Sequence, residues 1–299
     1  MGSVKNLRGC GTAIVTPFTR NGGLDEQALF RLVDFQLDEG IDFLVPCGST
    51  GESAVLSPDE HARIVELVVE RVRGRVPVVA GVGGNNTTKV IEAARRTETL
   101  GADAILSVTP YYNRPNQEGL FQHFKAVAGS VKIPVVLYNV PARTSTNLLP
   151  ETLKRLSEMY NIIGVKEASG NISQITEIAM TVPESIKLIS GDDANTLPII
   201  ALGGVGVISV ISNETPKLMT RFTHLCMEGN WKEAIVLQRK LFHLMQMNFI
   251  DTSPIPVKAA LAKMGLIEEV YRLPLVPLSP QNKEKLFATL KELDLISSV

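Results

Sequence analysis

The sequence predicts an α/β fold, a TIM-type (β/α)8 barrel followed by a C-terminal helical extension. Three observations carry this expectation. Short apolar segments rich in β-branched residues recur at 11–15, 41–45, 77–82, 104–108, 134–138, 162–166, 187–190 and 205–210, and such a composition suits a pleated, buried surface. Helical patterns separate them, and strands alternating with helices pair in parallel because parallel neighbours need crossover connections. Finally, 299 residues can hold one barrel of about 250 residues with chain to spare. Eight such units close naturally into a barrel. The doubly wound open sheet is the alternative.

In chain order, the start, Met1 to Arg8, lacks the apolar core of a signal peptide. Met1-Gly2 resembles a myristoylation start, but Asn6 stands where that motif wants Ser or Thr. After the first strand comes an amphipathic helix at 26–38, and after the second a helix at 59–73. The latter has a full start signal: Ser57 as N-cap, Pro58 at the first position and Glu60 to complete a capping box. The third strand runs into Gly81-Val82-Gly83-Gly84-Asn85-Asn86, which lacks the last glycine of a dinucleotide-binding turn and so weighs against the open sheet. A helix at 88–100 follows. The run 162–166 is apolar up to Lys166 and is broken by Ser169, Gly170 and Asn171, as a strand buried on both faces would be. Thr215-Pro216 and Ser279-Pro280 repeat the cap-then-proline signature. Beyond 210 only helical patterns remain, too many for one closing helix, so 230–247, 256–263 and 280–293 are expected to form an extension. The division expected is 1–228 for the barrel and 229–299 for the extension.

Composition narrows the function. Hydrophobic residues make up 44%, enough for a sizeable core. Thirty basic residues against 31 acidic ones leave a formal charge of −1, with no basic field for nucleic acid or an anionic membrane. No apolar run approaches the roughly 20 residues of a membrane span. Cys10, Cys47 and Cys226 are odd in number and far apart, which fits a reducing, cytoplasmic setting better than a disulfide framework. His61, His123, His224 and His243 have no metal-ligand spacing, so no metal is expected.

In a barrel, residues at the carboxyl ends of strands meet on one face. Those ends are Thr16-Pro17, Gly48-Ser49-Thr50-Gly51-Glu52, Asn85, Pro110-Tyr111-Tyr112-Asn113-Arg114-Pro115, Tyr138-Asn139-Val140-Pro141-Ala142-Arg143-Thr144, Lys166-Glu167, Gly191-Asp192-Asp193 and Gly206 to Ser209. Lys166 is the unusual member. Desolvation penalises an ammonium and lowers its pKa, and an amine that is partly neutral can form a Schiff base with a carbonyl compound. The plainer alternative is a lysine that pairs with a carboxylate or snorkels to water. Each neighbour also has a structural reading: a tight turn at Gly48–Gly51, packing for Tyr111, Tyr112 and Tyr138, a solvated Arg143, and helix capping by Asp192-Asp193. Their convergence around one lysine, with hydroxyls and phenols to relay protons, favours an amine-centred carbonyl reaction.

The motifs at 48–52, 110–115, 138–144 and 164–170, with Pro254-Ile255-Pro256-Val257-Lys258, resemble the pyruvate-dependent class I aldolase family that contains dihydrodipicolinate synthase and N-acetylneuraminate lyase. They stand in the family's order over essentially the whole chain. The tyrosine pair, Arg143 and Glu167-Ala168-Ser169 are closer to the synthases; Ser49, where synthases typically carry Thr, leans toward the lyases but keeps the hydroxyl. The resemblance implies that Lys166 forms an imine with pyruvate, whose enamine adds to L-aspartate 4-semialdehyde in the diaminopimelate route to lysine. It implies no cofactor beyond that covalent imine. Tyr138, Ser49 and Tyr112 would relay protons. Thr50, with backbone groups near Ser49, Ile208 and Gly191, would hold the pyruvate end, and Arg143 the carboxylate of the semialdehyde. Tyr112 would come from a neighbouring subunit, which implies a homodimer or homotetramer. Rival readings are a sister aldolase acting on a sugar acid or hydroxy-oxoglutarate, and a non-catalytic barrel that binds keto acids. Some relatives are inhibited by L-lysine, and Lys89 here stands where those typically carry an acid. Pro58 likewise replaces a basic or imidazole group, although Ser53, Asn85, His61 and Tyr111 match. Insensitivity, or weak sensitivity, to lysine is therefore expected.

Overall fold

The computed structural model describes residues 7–297; the readings made for Met1-Gly2 and Asn6 lie outside the described residues. Eight strands form one sheet: β1 (Gly9–Thr12), β2 (Phe43–Leu44), β3 (Val79–Gly81), β4 (Ala104–Val108), β5 (Val135–Asn139), β6 (Ile162–Glu167), β7 (Lys187–Ser190) and β8 (Gly206–Ser209). The order is β2-β1-β8-β7-β6-β5-β4-β3 and every ladder is parallel. A parallel bridge between Leu44 and Val78 joins the two ends, with the Leu44 N–H donating to the Pro77 carbonyl at 3.0 Å. The sheet is a closed barrel.

The helices are α1 (Glu26–Asp38), α2 (Pro58–Val72), α3 (Thr87–Thr99), α4 (Gln117–Ala128), α5 (Pro141–Thr144), α6 (Pro150–Leu156), α7 (Ile172–Thr181), α8 (Thr196–Ala201), α9 (Pro216–Met227), α10 (Trp231–Met247), α11 (Ile255–Lys263) and α12 (Pro280–Glu292). Period-two alternation sorts each strand between two cores. Leu106, Val136 and Ile208 fill the barrel interior with Phe43 and Val79. Ile105, Val135, Leu137 and Val165 face the helical layer, against Leu120, Phe124, Leu153 and Ile175. Leu241, Leu244, Leu261 and Leu286, from α10, α11 and α12, share one cluster with Leu32, Val68 and Phe222 of α1, α2 and α9. The C-terminal helices thus extend the barrel's own outer core.

Expected boundaries mostly shift by a residue or two, as helix and strand ends do. β1 shifts further, to 9–12. Its pairing with β8 runs from Gly9–Gly206 to Thr12–Ser209, after which the Ile14 N–H turns to the Val45 carbonyl and the Val15 N–H to Asn213 Oδ1. Ser57 forms the expected capping box with Glu60, and Ser279 caps α12. Thr215 does not cap α9 with its side chain: a 3-10 turn at Ile211–Asn213 leads straight into the helix, and the Thr215 N–H is already bonded to the Ile211 carbonyl.

Candidate active site

Lys166 owes its direction to an irregularity. Val135 pairs with Ile162 but Val136 pairs with Gly164, so β6 carries one extra residue against β5. A one-residue shift exchanges the faces of a strand. Beyond the bulge, Lys166 is in register with Tyr138 on the interior side, while Glu167 faces outward. There Glu167 accepts from Asn139 Nδ2 and the Ser169 N–H, and belongs to the wall rather than the site.

Lys166 is 6% exposed, with Nζ 4.2 Å from the centre of the Tyr138 ring. Among the described residues it has no carboxylate within ion-pair distance. Burial pushes its pKa down to about 7, more than Asp193 raises it, and the nearby Arg143 charge lowers it further. Gly191 makes the room: a Cβ there would lie 3.1 Å from Cγ and Cε of Lys166 and 2.8 Å from Cβ of Ala168. Burial also raises the Tyr138 phenol, to about 12, so it stays protonated at neutral pH and can donate to a developing oxyanion or alkoxide.

A cavity of about 350 Å³ opens beside the Tyr138 phenol; Lys166, buried against that ring, is not part of its wall. Ser49, Tyr138 and Arg143 line it, with Ser253 and Pro274 from the C-terminal part. Ser49 is exposed to it, whereas Thr50 is buried beside it. The Arg143 guanidinium, on α5, is exposed at the mouth and donates to the Ser253 carbonyl at 3.2 Å. Ile208 is buried in the barrel interior, with Gly191 at the end of β7. Lys166, Tyr138, Gly191, Ser49 and Arg143 therefore gather on one face. Tyr112 does not join them within this chain: it is 90% exposed, in a left-handed conformation (φ 71°), and does not line the cavity.

Two features escaped the sequence reading. Asp192 does cap, accepting from the Ala194 N–H, but Asp193 does not; its buried carboxylate accepts from the Val210 and Ile211 N–H groups at the end of β8. Burial raises its pKa to about 6. The second is a second buried lysine, Lys258, whose Nζ lies 2.5 Å from Glu52 Oε1. The motif containing Lys258 was visible, but nothing local linked it to the glycine-rich loop. Among the described residues, no group of three or more His, Cys, Asp or Glu is placed to hold a metal ion, and no helix is long and apolar enough to cross a membrane.

An unpaired, half-neutral lysine under a protonated phenol at the mouth of a barrel is the arrangement of a Schiff-base enzyme. The pattern of the dihydrodipicolinate synthetase family matches residues 6–293. The chain belongs to this family. Over 295 residues it is 47% identical to the 4-hydroxy-tetrahydrodipicolinate synthase of Chloroherpeton thalassium, with 98% of each chain covered. To that of Koribacter versatilis it is 50% identical over 281 residues, 94% of each. The crystal structure of dihydrodipicolinate synthase from Aquifex aeolicus superposes with a TM-score of 0.96 at 41% identity, covering 98% of this chain and 100% of that one. As in the dihydrodipicolinate synthetase family at large, the chain is thus an enzyme on a TIM barrel.

Proposed function

We propose that the chain is a 4-hydroxy-tetrahydrodipicolinate synthase, condensing pyruvate with L-aspartate 4-semialdehyde through an imine on Lys166. The observation that carries this reading is the buried Lys166 amine against Tyr138, without a carboxylate partner among the described residues. The neutral amine attacks the pyruvate ketone. The carbinolamine loses water, and the product is a protonated imine. That cation draws electrons from the adjacent methyl group, which loses a proton and becomes an enamine. The enamine carbon adds to the semialdehyde's aldehyde, whose oxygen takes up a proton. The substrate's own amine then displaces Lys166 by transimination, closing the ring and restoring the free enzyme.

In this reading Tyr138 passes protons at the imine, with Ser49 next in the relay and Tyr112 supplied by a second copy of the chain. An exposed tyrosine held at φ 71° beside the site supports that assembly, as a homodimer or homotetramer. Thr50 and backbone groups at Ile208 and Gly191 would bind the pyruvate end. Arg143, at the cavity mouth, suits the second carboxylate, which a planar guanidinium binds with two parallel hydrogen bonds. The reaction as written draws on no cofactor besides the imine, and its substrates fit a cytoplasmic enzyme. Residues 1–228 carry the chemistry in this reading, and 229–299 form the helical extension. Incubation with pyruvate and borohydride followed by peptide mapping tests it: a reduced pyruvyl adduct on Lys166 is expected, and an adduct on another lysine refutes it.

A further inference from the structure

The loop between β2 and α2 carries Ser49 and Thr50, and its geometry is held from outside the barrel. Within that loop Glu52 takes a left-handed conformation (φ 53°) just before a 3-10 turn, its N–H bonded to the Ser49 carbonyl at 3.1 Å. The Glu52 side chain turns inward and is 4% exposed. Its Oε1 accepts from Nζ of Lys258, which is 0% exposed, and its Oε2 has no hydrogen-bond partner among the described residues. A single buried cation thus fixes the carboxylate.

Lys258 is fixed in turn by the C-terminal part and by β1's outgoing loop. Its ammonium lies 4.4 Å from the Phe18 ring centre and 5.4 Å from that of Tyr271. The Arg272 guanidinium lies 4.2 Å from the same Phe18 ring, pairs with Glu60 of α2, and donates to the Val55 and Gly22 carbonyls. Thr16 Oγ1 donates to the Gly51 carbonyl at 2.7 Å and closes the other side of the loop. One helix of the extension, α11, and the 271–272 segment therefore grip this active-site loop, Lys258 through Glu52 and Arg272 through the Val55 carbonyl and Glu60.

We propose that Lys258 is a positioning residue: through Glu52 it sets where the Ser49 hydroxyl and the Thr50 backbone stand, and so sets pyruvate affinity and proton relay. This rests on the assignment of pyruvate to the site above. A buried ion pair is weak grounds for a stability role, since replacing both partners by uncharged groups of similar volume is often neutral for folding. Retaining it at this loop makes sense as a device for geometry. Displacing a reacting or binding group by 1 Å can cost on the order of 100-fold in rate.

The double variant Glu52→Gln/Lys258→Met removes both charges together and leaves no orphaned ion. In it, pyruvate trapping should still map to Lys166, but the pyruvate concentration for half-maximal trapping should rise roughly tenfold, and kcat should fall by about 10- to 100-fold. Lys258→Arg keeps the cation but must displace the carboxylate, and should shift half-saturation in the same direction. The result that overturns the proposal is a parent-like half-saturation and kcat in whichever of the two variants folds, including when only the melting temperature has dropped. Failure of the underlying assignment looks different: the parent itself would then give no pyruvyl adduct on Lys166.

Discussion

Among the described residues two lysines are buried, and they are buried in opposite ways. Lys258, on a helix of the extension, meets Glu52 at 2.5 Å and two aromatic rings. Burial holds its ammonium below the ordinary lysine value, and the Glu52 carboxylate opposes that shift through charge and a hydrogen bond. Lys166, at the end of a barrel strand, meets one phenol ring and has no carboxylate at ion-pair distance among the described residues. The one carboxylate that raises its pKa, Asp193, is outside ion-pair distance and spends Oδ2 on two backbone N–H groups. The first arrangement keeps a cation as a structural clamp. The second leaves an amine close to half neutral at pH 7. The difference teaches that burial alone does not make a lysine a nucleophile; burial without compensation does.

The largest expected effect is chemical. Lys166→Met should remove pyruvate trapping and lower turnover by roughly four to six orders of magnitude, the scale seen when a nucleophile is deleted. Lys258→Met should leave trapping on Lys166 in place. A trapped adduct in Lys166→Met would break the comparison outright.

Stability should then separate the two with opposite signs. Lys258→Met leaves Glu52 buried and unpaired, a loss of about 3–5 kcal/mol in denaturant unfolding. Lys166→Met removes a cation that folding must desolvate without recompense, and should gain about 1–4 kcal/mol near pH 6. The folded-state pKa of Lys166 lies below its unfolded value, so its penalty is full below about pH 7 and fades as pH rises toward 10.5. The gain from Lys166→Met should therefore shrink above pH 7. Equal destabilisation by both changes would contradict the account.

Arg143→Ala sharpens the comparison from the mouth of the cavity. Losing a charge-assisted contact of about 1.5–3 kcal/mol should raise KM for the semialdehyde roughly 10- to 150-fold, while imine formation with pyruvate persists. An unchanged KM would make Arg143 a solvated charge. The smallest effect concerns a third lysine, the exposed Lys89. Its charge would face the ammonium of a bound L-lysine near His61 and Tyr111, which line the cavity. A lysine titration of the condensation should show little inhibition below millimolar concentrations; strong submillimolar inhibition would refute this.

Much of this was legible in the chain because it is periodic or local. The apolar run into Lys166, the capping box at Ser57 and the strand ends are short-range patterns, and the barrel follows from counting them. What stayed hidden depends on register or distance. The bulge that turns Lys166 inward needs the pairing of β5 with β6, since without it Lys166 and Glu167 would exchange faces. Glu52 and Lys258 are 206 positions apart, so their pairing leaves no spacing to read. Asp192-Asp193 looked like one capping signal, yet the two carboxylates divide between a local cap and the end of β8.

The most direct test of the unpaired amine is the pH dependence of imine formation. The rate of pyruvate trapping on the intact enzyme, measured under non-saturating pyruvate from pH 5.5 to 10, should rise with the neutral fraction of Lys166 and level off above a midpoint of about 7. A rate still climbing through pH 10, with a midpoint near the ordinary lysine value of 10.5, would show that Lys166 is a fully compensated cation and would contradict the account.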